Sequence, residues 1–230
     1  MKKIITMALA ALAAVSMVSA FDFNAGLRGS FGYGLGRTFS NSDYNKDAYK
    51  VSFPENIIWD IGAVAEIQVN KTLGLQAEIN YANNNVGYNY SDSYSSVTPK
   101  YTWSSVEIPL LVTVNMRAGS GYAKAYAGPH FTFPTGNLKT SGTAKVTVGG
   151  TGGSKELEGE ADITSSILAG LTFGGDYLLK MGTGNLSLGL RYSLDFMPLK
   201  AKASSSSDAN DVYTRRGLKI NAGYVIPFSL

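Results

Sequence analysis

The chain has 230 residues, no Cys, one His, and 20 basic against 17 acidic residues. That length holds one large all-β domain or two small ones, and the lack of Cys excludes a disulfide scaffold and a thiolate metal site. No basic cluster stands out beyond Arg215-Arg216, so the sequence gives no support for nucleic-acid binding.

The first twenty residues, MKKIITMALAALAAVSMVSA, have a basic start at Lys2 and Lys3, then an uncharged apolar run from Ile4 to Val18. Small residues close the run at Val18 and Ala20. This is the layout of a secretory signal peptide over residues 1–20, with the mature domain spanning 21–230. The apolar run falls short of the roughly 20 residues that a spanning helix needs. Without Lys2 and Lys3 the acidic and basic residues nearly balance, so net charge says little about partners.

Beyond residue 20 the chain alternates with period two. On a strand, residues two apart share a face; on a helix they scatter around the cylinder. Phe23 to Leu35 is a first, less clean strand. In Ile57 to Val69 the row Ile57, Trp59, Ile61, Ala63, Ala65, Ile67, Val69 lies opposite Asp60, Gly62, Glu66 and Gln68. In Leu73 to Tyr81 the row Leu73, Leu75, Ala77, Ile79, Tyr81 lies opposite Gly74, Gln76, Glu78 and Asn80. Val106, Ile108, Leu110, Val112, Val114 and Met116 face away from Glu107, Thr113, Asn115 and Arg117. Tyr122 to Phe133 is again less clean, and Ile167, Ala169, Leu171 and Phe173 make a further row. In LSLGLRYSLDF the row Leu186 to Phe196 opposes Ser187, Gly189, Arg191, Ser193 and Asp195. The last row runs from Leu218 to Leu230, opposite Lys219, Asn221 and Gly223.

Eight strands result, near 22–37, 56–69, 72–88, 102–117, 122–134, 162–177, 185–198 and 213–229. Most have ten or more residues. Soluble sheets use five or six, and a tilted strand crosses a bilayer in about nine to eleven. The connections alternate. Asn70-Lys71, AGSG (118–121) and KMGTGN (180–185) are tight turns; 38–55, 89–101, 135–161 and 199–212 are long and polar. Within the longest of these, TAKVTVGG has the pattern to extend its hairpin beyond the membrane. Short turns on one rim and long loops on the other predict an eight-stranded antiparallel up-and-down transmembrane β-barrel.

A soluble sandwich or a lipocalin-like barrel would show the same alternation with the apolar row inside. Three features favour lipid outside. Only 16% of the residues are charged, and a soluble surface would be richer in Lys and Glu. Aromatics gather at both strand ends: Phe31, Tyr33, Trp59, Tyr81, Phe131, Phe133, Tyr192 and Phe196 near the long loops, and Phe21, Phe23, Tyr177 and Phe228 near the turns. The third feature is the signal peptide.

Three segments, SSVEIPLLVTVNMRAGSGYAKAYAGPHFTF (104–133), LSLGLRYSLDF and GLKINAGYVIPFSL, carry a resemblance. The chain resembles the small bacterial outer-membrane β-barrel proteins of the porin-like, outer-membrane-protein-X-like group. The resemblance covers the whole mature chain and implies residence in outer-membrane lipid. It also implies insertion by the barrel-assembly machinery through a terminal signal at Tyr224, Phe228 and Leu230. Such signals commonly end in Phe, and here the last residue is Leu230.

With apolar rows toward lipid, the lumen receives Arg28, Arg117, Lys124, Arg191 and Lys219, and Asp60, Glu66, Glu78, Glu107 and Asp195. Charges in a narrow interior must be paired, and eight strands enclose little more than their own side chains. The expectation is a structural polar network, with a narrow conduit as the alternative. Arg191 and Asp195 lie about 13 Å apart along one strand, so each needs a partner across strands. His130, with Thr132 two residues on, has the residue types for an activated hydroxyl, yet no paired Ser is evident. Asp43, Asn45 and Asp47 alternate as in a calcium loop, but Ala48 and Pro54 occupy the positions that need Gly and Glu. VGGTGGSKE has no Gly-Lys-Ser/Thr and is not a phosphate loop. No catalytic, cofactor or metal residues are therefore assigned. The Tyr- and Ser-rich stretch from Val86 to Trp103 has the composition of binding loops. The leading expectation is a non-enzymatic surface protein that binds an extracellular ligand through its loops. A small-solute pore comes second, and a lipid-modifying enzyme using His130 third.

Overall fold

The computed structural model describes residues 22–34, 50–52, 56–87, 89–91, 94–148, 151–203, 210–213 and 216–228. The signal peptide, Phe21, the Asp43–Asp47 loop, Arg215 and Leu230 lie outside the described residues.

Among those residues thirteen strands follow one another. They are β1 (Asp22–Gly34), β2 (Lys50–Ser52), β3 (Ile57–Gln68), β4 (Leu73–Gly87), β5 (Asn89–Ser91), β6 (Ser95–Ala118) and β7 (Gly121–Val148). Then come β8 (Thr151–Ile163), β9 (Leu168–Met181), β10 (Gly184–Asp195), β11 (Leu199–Ala203), β12 (Asn210–Tyr213) and β13 (Arg216–Phe228). Eight of them close a ring in the order β7, β9, β10, β13, β1, β3, β4, β6, with β6 bonded back to β7. All the pairings are antiparallel. Closure leaves no wall strand with an open edge, which is what a sheet immersed in hydrocarbon requires.

The alternation sorts the wall as expected. Leu27, Phe31, Ile61, Leu75, Val112, Leu190 and Ile220 point outward and are each more than half exposed. Water would penalise such a surface; lipid does not. The outer aromatics pair across strands: Trp59 with Tyr81 at 6.0 Å and Phe173 with Tyr192 at 5.2 Å near the long-loop rim, and Phe23 with Phe228 at 6.1 Å near the other.

The short turns are built as their residues dictate. Asn70 Oδ1 accepts from the backbone N–H groups of Thr72 and Leu73, each at 2.8 Å. Gly119 and Gly182 take φ of +59° and +63° in two-residue turns, a region costly for residues with a Cβ. A tyrosine from a neighbouring strand ties down each of those two turns. Tyr177 Oη donates to the Ala118 carbonyl and Tyr224 Oη to the Met181 carbonyl, both at 2.8 Å.

The long connections differ from the expectation. Much of 89–101 and 135–161 is strand, because β6 begins at Ser95, β7 runs to Val148 and β8 returns from Thr151. Parts of 199–212 form β11 and β12, and the strand expected at 162–177 runs from Leu168 to Met181. These backbones find ladder partners above the ring, Val97 with Ala144, Lys145 with Ser154, and Ala201 with Ile163. They are as polar as loops because they face water.

At the long-loop end, Val86, Trp103, Leu138, Leu168, Leu199 and Ala201 form a buried apolar cluster. A smaller one, Val64, Leu178 and Val225, lies toward the turns. Between them the interior is polar.

The lumen network as candidate functional site

All eight wall strands supply charged side chains to the interior, and the register decides which meet. Glu78, on β4, is the hub. It accepts from Arg191 Nη1 and Nη2 at 2.8 and 2.6 Å, a two-pronged contact from β10. It also accepts from Arg28 Nη1 at 2.9 Å, Gln76 Nε2 at 2.5 Å and Asn80 Nδ2 at 3.0 Å. The Cζ atoms of both arginines stand over the Tyr126 ring, 5.4 and 5.3 Å from its centroid, and the ring attracts both cations. Its hydroxyl accepts from Asn221 Nδ2 at 3.0 Å. Gly174 makes room for this ring: a Cβ there would stand 2.6 Å from Tyr126 Oη.

Arg28 also pairs with Asp176, which accepts from Ser187 Oγ at 2.9 Å and Asn221 Nδ2 at 3.0 Å. Toward the turns, Glu66 accepts from Lys124 Nζ at 2.7 Å and Thr113 Oγ1 at 2.8 Å. Lys219 Nζ is 2.5 Å from Asp60 Oδ2 and 3.8 Å from Glu107 Oε2.

Asp195 and Arg191 serve separate partners, as their spacing requires. Asp195 Oδ1 is 2.6 Å from His130 Nε2, and His130 Nδ1 is 3.0 Å from Thr172 Oγ1, itself 3.0 Å from Ser193 Oγ. An acid, an imidazole and two hydroxyls thus stand in line. The hydroxyl bonded to His130 is that of Thr172. All four residues are at most 3% exposed, beneath the apolar cluster that includes Leu168, so the chain of groups is closed to solvent.

Of the ten residues expected inside, Arg28, Asp60, Glu66, Glu78, Glu107, Lys124, Arg191, Asp195 and Lys219 are buried in the lumen. Arg117 is not. It has inward parity but lies one pair from the Ala118–Gly121 turn, where its side chain is exposed. Sequence reading passed over Asp176 and Tyr126, although extending the Ile167–Phe173 row by parity points Asp176 inward. Of the terminal signal residues, Tyr224 clamps a turn and Phe228 packs on Phe23 at the rim, both outside the lumen.

Ion pairs desolvated this thoroughly hold the wall strands in one register and leave little room. A cavity of about 10 Å³ beside Arg28, Gln76, Lys124, Asp176 and Ser187 is about the size of one water molecule.

A solved structure shares this architecture. The crystal structure of the outer membrane protein OprG from Pseudomonas aeruginosa aligns over 92% of this chain and 98% of its own, with a TM-score of 0.51 and 10% identity. The solid-state NMR structure of the outer membrane protein AlkL in DMPC bilayers aligns over 91% of each chain, with a TM-score of 0.49 and 13% identity. Neisserial surface protein A aligns over 90% and 97%, with a TM-score of 0.40 and 16% identity. Comparison with curated protein sequences gives no match. The model of the outer membrane protein beta-barrel domain matches residues 19–201. The chain therefore belongs to the outer membrane protein β-barrel domain family and is an integral β-barrel of the bacterial outer membrane.

Proposed function

We propose that this barrel is a non-enzymatic envelope protein that acts through its outer surface, with a lumen that supports the wall and does not conduct. One observation carries the reading: a charged blade stands on a plugged barrel. Above the ring, the outward face of β7 presents Lys139, Ser141 and Lys145. β8 presents Glu156, Glu158, Glu160 and Asp162, and β11 presents Lys200 and Lys202, all exposed. β11 pairs with β8 only at Ala161–Ile163. The remaining edge of β8 carries no strand among the described residues, and an open edge is a ready pairing surface for an extended segment of another protein. Below the blade, the apolar cluster and the ion pairs occupy the interior. The buried position of His130 argues against lipid chemistry there.

Two measurements test the reading. In planar bilayers the purified barrel gives no discrete current steps; discrete steps would favour the pore. Cells displaying the chain with residues 139–160 replaced by a two-residue turn lose attachment to surfaces that the full chain binds, while the protein still inserts. Unchanged attachment would remove the surface-binding role.

A further inference from the structure

Strand β8 forms a long edge of the blade. It runs from Thr151 to Ile163 and pairs with β7 without a register shift, from Leu138–Ala161 to Val148–Thr151. On its other side β11 reaches only Ala161, Asp162 and Ile163, and residues 151–160 carry no strand there among the described residues. β8 holds no proline. Natural edges are commonly blunted by proline, by a bulge or by being short, and this one has none of the three.

Its charges are unevenly matched. By alternation Glu156, Glu158, Glu160 and Asp162 share the outward face, about 7 Å from one to the next. All four are exposed. Two have a basic residue directly across the ladder: Glu160 faces Lys139 and Asp162 faces Lys202. Glu156 and Glu158 lie across from Thr143 and Ser141 instead. The next lysine of β7, Lys145, lies across from Ser154, and Lys155 takes the opposite face with the half-buried Leu157. Both acids without a basic residue across the ladder thus fall on the stretch that no described strand covers.

We infer that this edge takes up an extended basic segment of another protein as an added strand. Two basic residues of that segment, two positions apart, sit opposite Glu156 and Glu158, with an apolar residue between them beside Leu157. The inference rests on the reading of the blade as the working surface and names its partner. In strand addition the backbone ladder supplies affinity and alternate side chains supply the choice of partner. Opposite charges across a strand pair attract, and like charges directly opposite repel. A second copy is therefore disfavoured: two β8 edges paired antiparallel about Leu157 set Glu156 against Glu158 twice. The carboxylates that turn away another β8 accept a basic strand.

The test uses the whole mature chain in uncharged detergent micelles and a fluorescent peptide, Thr-Thr-Lys-Val-Lys-Thr-Thr. Anisotropy reads binding at about 0.15 M salt, where charges far apart are screened. The peptide binds, and its counterpart with Glu in place of both Lys does not. Glu156→Lys combined with Glu158→Lys, both at exposed positions, weakens binding of the Lys peptide about tenfold. The Glu peptide then binds that double variant. A Lys peptide N-methylated through Lys-Val-Lys keeps its charge, cannot join the ladder and fails to bind. Equal binding of the methylated peptide, meaning charge attraction alone, overturns the inference. So does wild-type affinity in the double variant, or no binding of the Lys peptide at all. If the barrel without residues 139–160 loses attachment and the intact chain still leaves the Lys peptide unbound, this inference fails and the surface-binding reading stands.

Discussion

Glu78 shows how one side chain can hold a barrel together. It takes hydrogen bonds from Arg28, Arg191, Gln76 and Asn80, and both guanidinium groups are buried. Glu78→Ala leaves two buried cations short of their partner and costs about 3–5 kcal/mol. Arg117→Ala, at the exposed rim, changes stability by no more than about 0.5 kcal/mol. Urea unfolding in micelles compares the two, and similar losses would mean that the network does not hold the wall. His130→Ala strips Asp195 and Thr172 of their shared partner and lowers stability. It leaves the lipid mass profile of the host outer membrane unchanged, and an altered profile would revive the enzymatic reading. At this scale the sequence told which face a residue takes but not how deep it lies or whom it meets. Arg117 and Arg191 have the same inward parity, and only distance from the turn separates them. That Arg191 binds Glu78, 113 positions away in the chain, follows from the register of the closed sheet.

The strands were legible because their period and length are imposed by physics. A row such as Leu186, Leu188, Leu190 and Tyr192 fits one face of a strand, and hydrocarbon on that face requires every member to be apolar. Leu190→Arg at mid-wall therefore costs about 2–4 kcal/mol. Gly182→Val at its positive φ costs about 1–2 kcal/mol. Unfolding midpoints of the two variants check both figures, and a neutral Leu190→Arg would put that face in water or in the lumen. The blade was less legible. β7 from Leu138 onward and β8 carry Gly, Thr, Lys and Glu, residues equally at home in a loop, and both their faces meet protein or water with no lipid to enforce a pattern. Only TAKVTVGG hinted at the extension. Pairing partners such as Ala144 with Lys155 made these segments strands.

For the molecule as a whole, a closed ring with a polar interior predicts a barrel that stays folded in unheated detergent. The mature chain migrates faster before boiling than after; a single unshifted band would contradict closure. The sequence by itself determined the number of wall strands, their inside and outside, the rim that carries the long connections, and export to the envelope. Each is a local pattern read against the length and polarity of a bilayer. Only the tertiary structure decided how the interior charges pair, that Asp176 and Tyr126 belong among them, and that His130 is sealed. Those facts depend on which strands become neighbours and in what register. Ring closure sets that non-locally, by bringing β1 against β13 and so placing Ser30 beside both Asp60 and Asn221.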